Sequence, residues 1–154
     1  MKHPGWLEKL CPPCERLRRS RLPVARVRPR QLCRLLREGS EVTLLDVRHP
    51  LELLHDARVL PGARRVRPQD LAYGPLHFPL NTALVVYAGR GGEEASEFAS
   101  RHLIRRGYRD VRVLEGGLPE WERAGLPLAP YDVREADRPG RSRAACRPGS
   151  GVFR

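Results

Sequence analysis

Long apolar runs are missing from this 154-residue sequence. The longest, Thr82–Ala88 and Val42–Leu45, fall far short of the roughly 18 consecutive apolar residues of a membrane-spanning helix, so no membrane segment is expected. Met1–Leu10 mixes Lys2, Pro4, Glu8 and Lys9 and lacks the apolar stretch of a secretory signal, which makes a cytoplasmic location the expectation. Cysteine is scarce. Cys11, Cys14, Cys33 and Cys146 are too few and too unevenly spread for a disulfide scaffold, and reduced thiols are expected. Aromatic residues are also sparse, and the basic ends of the chain show no alternation of aromatic with basic residues of the kind that stacks nucleobases.

Hydrophobic residues at 40% and charged residues at 31% belong to a globular protein, and the length suits one domain with a modest core. The net charge of +11 is unevenly placed: residues 1–30 carry +7, residues 129–154 carry +3, and the stretch between them is nearly neutral at +1. A folded body with basic ends is therefore expected. Such ends suit nucleic acid or an acidic partner, although solvated Arg-rich tails are the plainer reading.

Residues 1–23, with Pro4, Pro12, Pro13, Pro23 and the basic run Arg16–Arg21, read as an appendage. The patterned body spans 24–128. Val24–Val27 is a brief strand, followed by a helix opened by Pro29, carrying Leu32, Leu35 and Leu36, and closed by Gly39. Val42–Asp46 reads as a buried strand, Leu51–Leu54 as a helical turn, Ala63–Val66 as a short strand and Pro68–Leu71 as the start of another turn. Residues 74–82, with Gly74, Pro75 and Pro79, form a loop. Ala83–Tyr87 is the clearest strand. A helix follows from Glu93 to Arg106, with Ala95, Phe98, Ala99, His102 and Leu103 on one side. Val111–Leu114 is a further strand and Leu118–Ala124 a last helix. Residues 129–154 lose all periodicity and read as a disordered tail.

Strands alternating with helices predict an α/β fold: an open, mainly parallel sheet with helices on both faces. In such sheets ligands gather beyond the carboxyl ends of the strands. The turn after Tyr87 lies at such an end, and Gly89, Gly91 and Gly92 within it let successive N–H groups converge at a helix N-terminus, an arrangement suited to an anion. A Gly-rich turn of this kind is equally often a tight connection.

The order of the motifs is more specific. Leu45-Asp46-Val47-Arg48 with Pro50 and Glu52, and then Leu60-Pro61-Gly62-Ala63, resembles the first half of a rhodanese-like domain. Leu84–Tyr87, the six-residue loop Ala88–Glu93, Gly107-Tyr108, Val111–Leu114, Glu115-Gly116-Gly117, Trp121 and Ala124-Gly125-Leu126-Pro127 resemble the second half. The form carried on DedA-type bacterial membrane proteins looks especially similar. The resemblance implies a rhodanese-like fold over about residues 24–128. It also implies a sulfurtransferase ancestry, in which a cysteine opening the loop holds a persulfide and passes its sulfur to a thiol or cyanide.

That chemistry needs a nucleophile, and the position after Tyr87 is Ala88. Where the family's loop commonly closes with an arginine, this chain has Glu93 followed by Glu94, which complement the helix dipole but repel thiosulfate or phosphate. Arg90 is the loop's own cation, available to pair with one of the glutamates. The degenerate loop Ala88, Gly89, Arg90, Gly91, Gly92 and Glu93 is thus read as having no catalytic residue, with Asp46 and Arg48 supporting the pocket through charged hydrogen bonds. Trp121 is expected in the core, and His55 and His77 at the surface.

Cys11-Pro12-Pro13-Cys14 could be redox active or form half of a zinc site, with His3 and Cys33 the nearest further ligands, or could be inert. Cys146, in the tail, could serve as a mobile sulfur acceptor. Three readings stay open. One is an inactive rhodanese-like binding or regulatory module for a protein or small molecule. Another is sulfur transfer by Cys11, Cys14 or Cys146. The third is a scaffold whose basic ends bind nucleic acid or an acidic partner.

Overall fold

The computed structural model describes residues 23–132 and Cys146. Among the described residues, seven strands and five helices follow in the order β1 (Ala25–Val27), α1 (Pro29–Arg37), β2 (Val42–Asp46), α2 (Pro50–His55), β3 (Arg58–Val59), β4 (Arg64–Arg65), α3 (Pro68–Tyr73), β5 (Ala83–Tyr87), α4 (Glu93–Arg105), β6 (Val111–Leu114), α5 (Gly117–Arg123) and β7 (Ala129–Pro130). Five strands make an all-parallel sheet in the order β1-β6-β5-β2-β4. The expected open parallel sheet is therefore present. Every residue of β2 is buried, as a parallel strand covered on both faces requires, which explains its unalternating Val-Thr-Leu-Leu-Asp sequence.

The two faces have separate cores. On one, Leu32 and Leu36 of α1 and Leu118 and Trp121 of α5 pack on Val27, Leu44, Val85 and Tyr87. On the other, Leu71 of α3 and Ala99 and Leu103 of α4 pack on Leu45, Leu84, Val86 and Val111. Trp121 is fully buried and its indole N–H donates to Pro127 O at 2.8 Å, the core role its sequence position suggests.

Several local expectations need correction. The buried face of α4 is Ser96, Ala99, Ser100 and Leu103, so Ala99 and Leu103 of the expected stripe are buried while Phe98 at its edge is turned away. Small side chains face the sheet, and the Ser96 hydroxyl donates back to Gly92 O at 3.3 Å. Phe98 stays 47% exposed and stacks on His102 (centroids 4.3 Å apart), with Tyr73 at 6.2 Å from His102. The strand expected over Ala63–Val66 shortens to Arg64–Arg65 at the sheet edge. Ala129–Pro130 pairs antiparallel with β3, so regular backbone continues into the stretch read as tail.

The thiol expectation fails at two positions. Cys33 and Cys146 form a disulfide with Cα atoms 5.5 Å apart, and both residues are buried. The Arg37 Nε–H donates to Cys146 O at 2.7 Å. Cys146 is therefore neither free nor a mobile sulfur acceptor here. The bond spans 113 residues, a separation over which local pattern carries no information. Cys11 and Cys14 lie outside the described residues, as does the rest of the stretch beyond 132. Among the described residues no helix is long and apolar enough to cross a membrane, and no cluster of three or more metal-type ligands occurs.

Candidate functional site

The loop after β5 is placed by a buried polar network at the carboxyl ends of β2 and β5. Those two strands pair so that Asp46 sits opposite Tyr87, and their side chains emerge on the same face. Asp46 accepts from the Arg48 backbone N–H at 2.9 Å, from Arg48 Nε at 2.9 Å and from the Tyr87 hydroxyl at 3.1 Å. Arg48 Nη2 lies 2.7 Å from Asp46 Oδ2. The guanidinium also donates to Asp56 O at 3.1 Å and Arg58 O at 2.9 Å. It thereby satisfies a carbonyl just past the end of α2, where no intrahelical partner exists. The Tyr87 hydroxyl in turn accepts the Leu60 N–H at 3.2 Å.

Charge and burial act together in this network. Burial alone would lower the Arg48 pKa, but the hydrogen bond and charge of Asp46 outweigh it and leave it raised. The Tyr87 hydroxyl is pushed well above its ordinary range, first by burial and then by the Asp46 charge. Both groups stay in one protonation state throughout the physiological range, as an anchor requires. Asp46 and Arg48 thus hold the loop's base from the β2 side.

Ala88 leaves the end of β5 buried, and its carbonyl accepts the Leu118 N–H at 2.9 Å. Two glycines make room for it. A Cβ on Gly92 would stand 2.6 Å from the Ala88 methyl, and a Cβ on Gly117 (φ +57°) would overlap the Ala88 carbonyl. Gly92 N–H donates to Gly89 O at 3.2 Å, which folds the loop before α4 begins at Glu93. The backbone N–H groups of Gly89, Arg90 and Gly91 find no acceptor among the described residues. Three such donors follow directly after the methyl-bearing Ala88.

The rim is acidic. Glu93 and Glu94 are exposed in the first turn of α4. Arg90 is exposed too and, among the described residues, pairs with neither of them, so the anticipated internal ion pair does not form. A third carboxylate comes from Glu52 in α2, and a Cβ on Gly89 would overlap its Oε2. Glu52 Oε1 also accepts the His49 N–H at 3.3 Å, while His49 Nδ1 accepts the Leu51 N–H at 3.2 Å. This reciprocal cap orients Glu52 toward the loop. Sequence reasoning placed Glu52 in a motif but assigned it no role. The spacing His49-Pro50-Leu51-Glu52, a cap residue followed three positions later by a glutamate, was the available signal.

Ala88, which opens the loop, ends in a methyl group, which cannot attack an electrophile. The loop's N–H groups can bind an electronegative atom, and the Glu52, Glu93 and Glu94 carboxylates favour positive charge close by. His55, at the end of α2, and His77 are exposed and stand apart from the loop's hydrogen bonds.

Comparison with known proteins agrees with this architecture. Residues 29–124 match the family model described as "Rhodanese-like domain". A protein of Allochromatium vinosum named sulfurtransferase is 29% identical over 97 residues, covering 63% of this chain and 87% of that one. A solved structure from Anabaena sp. aligns with a TM-score of 0.60 at 25% identity, over 70% of this chain and 85% of that one. The crystal structure of a thiosulfate sulfurtransferase from Pseudomonas aeruginosa aligns with a TM-score of 0.60 at 28% identity, over 70% of this chain but 20% of its own.

Proposed function

Because the chain belongs to the rhodanese-like domain family, we propose that it has given up sulfur transfer and acts as a binding or regulatory module through the retained loop. The observation that carries this reading is Ala88. Its methyl group fills the space between the end of β5 and Gly92, at the position where the family's chemistry needs a thiol. The loop's exposed carboxylates support it, since they oppose an anionic sulfur donor.

The ligand that fits must offer acceptors to the N–H groups of Gly89, Arg90 and Gly91 and tolerate or use three nearby carboxylates. A peptide segment with a Lys or Arg side chain has both features: backbone carbonyls for the donors and a cation for Glu52, Glu93 or Glu94. A second reading assigns the basic ends to nucleic acid or an acidic partner. Binding there would weaken steeply with salt and vanish on removal of residues 1–22 and 133–154.

The test is thiosulfate:cyanide sulfurtransferase activity, read as thiocyanate. The wild type is expected to be inactive, and a Cys11→Ser/Cys14→Ser/Cys146→Ser variant to be indistinguishable from it. Thiocyanate production that depends on any of these cysteines would replace this reading with sulfur transfer by a displaced thiol. Ala88→Cys is expected to take up sulfur as a persulfide detectable by mass spectrometry. Turnover should stay slow until Glu93 and Glu94 are also neutralised.

A further inference from the structure

Helix α2 carries three leucines in six residues, Leu51, Leu53 and Leu54, yet none of its side chains is buried. Leu51 is 59% exposed and Leu54 is 81% exposed. Three positions apart on a helix, these two share one side and form a single apolar patch open to solvent. Leu32 of α1, Leu71 of α3 and Leu103 of α4 are fully buried by contrast. A lone exposed leucine is ordinary, whereas a pair on one helix face beside a candidate site marks an interaction surface.

The patch adjoins the loop. Glu52 stands between the two leucines in the chain, and its carboxylate reaches so near the loop that a Cβ on Gly89 would overlap it. Its bond from the His49 N–H fixes that direction. At about 1.5 Å of rise per residue, Leu51 and Leu54 lie within about 3 Å of Glu52 along the helix axis. Beyond Glu52 the rim continues with Glu93 and Glu94, which carry no ion pair among the described residues. Together the three carboxylates outnumber Arg90, the loop's own cation, three to one.

We propose that the exposed side of α2 is the apolar half of a docking surface whose acidic half is the rim of the loop. Its occupant is a peptide segment of a partner protein in which an aliphatic or aromatic side chain stands within a few residues of a Lys or Arg. The inference rests on the reading of the loop as a binding module and adds to it the contact that sets specificity. Leu51 and Leu54 take the apolar side chain, and Glu52, Glu93 and Glu94 take the cation. An extended peptide advances about 3.3 Å per residue, so four or five residues cross the roughly 10 Å breadth of α2 and reach the rim. Charge selects among occupants. Nucleic-acid phosphates and anionic lipid headgroups are repelled by the rim, and a wholly apolar partner would desolvate its carboxylates without a counter-charge. A cation alone gains an exposed ion pair that salt screens, so the apolar contact supplies most of the affinity.

The experiment uses the full chain and fluorescence anisotropy with four families of labelled, end-blocked octapeptides on a Gly/Ser background. One family carries Leu and Arg separated by one to four residues; the others carry Leu alone, Arg alone, or Leu with Glu. At least one Leu/Arg spacing should bind, about tenfold more tightly than its Leu-only and Arg-only counterparts, with no binding by the Leu/Glu family. Leu51→Ser and Leu54→Ser should each weaken the Leu/Arg peptide about tenfold while leaving thermal unfolding unchanged, since both side chains face solvent. Glu93→Gln/Glu94→Gln should weaken it too and flatten its salt dependence. Arg-only binding that responds to the glutamine variant but not to either serine variant overturns this inference and leaves the binding reading standing. No binding by any family overturns both. Self-association, or binding to phosphatidylglycerol vesicles, that Leu54→Ser abolishes would give the face to a second copy or to a membrane and equally overturn the proposal.

Discussion

Replacing Asp46 by alanine tests the network that holds the loop. Asp46 and Arg48 are 1% and 2% exposed, so the substitution strands a buried guanidinium that keeps only Asp56 O and Arg58 O as partners. The Tyr87 hydroxyl loses its acceptor at the same time. Removing one member of a buried ion pair costs about 3–5 kcal/mol. With roughly 110 described residues, the unfolding entropy is about 0.23 kcal/mol/K, so the melting temperature should fall by about 13–22 °C. The assay is thermal unfolding followed by circular dichroism, completed as a cycle with Arg48→Met and the double variant. Removing both charges leaves neither one buried alone, so the double variant should recover at least half of the Asp46→Ala loss. A fall of less than 4 °C for Asp46→Ala, or strictly additive losses in the cycle, would refute the assignment of this pair as the loop's anchor.

Two further predictions concern the loop's backbone and the exposed aromatic cluster. Gly117→Ala should cost about 2 kcal/mol or more, because its Cβ would meet the Ala88 carbonyl in a left-handed conformation. Gly91→Ala, with φ +69° but open space around it, should cost only about 1 kcal/mol; equal losses in chemical denaturation would contradict the packing described. His102 is held below its ordinary pKa of 6.5, first by desolvation beside Phe98 and Tyr73 and then by Arg105. Its folded pKa lies under its unfolded one, so the neutral ring's contribution is complete above pH 6.5 and is lost as pH falls from there toward the folded value. NMR titration should place the His102 midpoint below 6.5, and Arg105→Ala should raise it partway; a midpoint at or above 6.5 would be inconsistent with this environment.

Much of this protein was determined by the sequence alone. The alternation of apolar strands and Gly- or Pro-bounded helices specified a parallel α/β sheet, and β2, β5 and β6 stand at the residues their composition marks. The methyl side chain at position 88 was legible in the same way, because strand end and loop are adjacent in the chain. Such features are local: they depend on backbone preferences and periodicity within a few residues. Tertiary structure decided the rest. It brought Glu52 over Gly89, gathered Asp46, Arg48 and Tyr87 into one buried network, turned Phe98 outward, and joined Cys33 to Cys146. Each of these unites segments whose separation along the chain is set by how helices and strands pack around two cores, and no spacing rule encodes that closure. Ala88, Glu93 and Glu94 were therefore legible where the loop is written in the sequence, while the third carboxylate, Glu52, reaches Gly89 only once α2 is folded beside the loop.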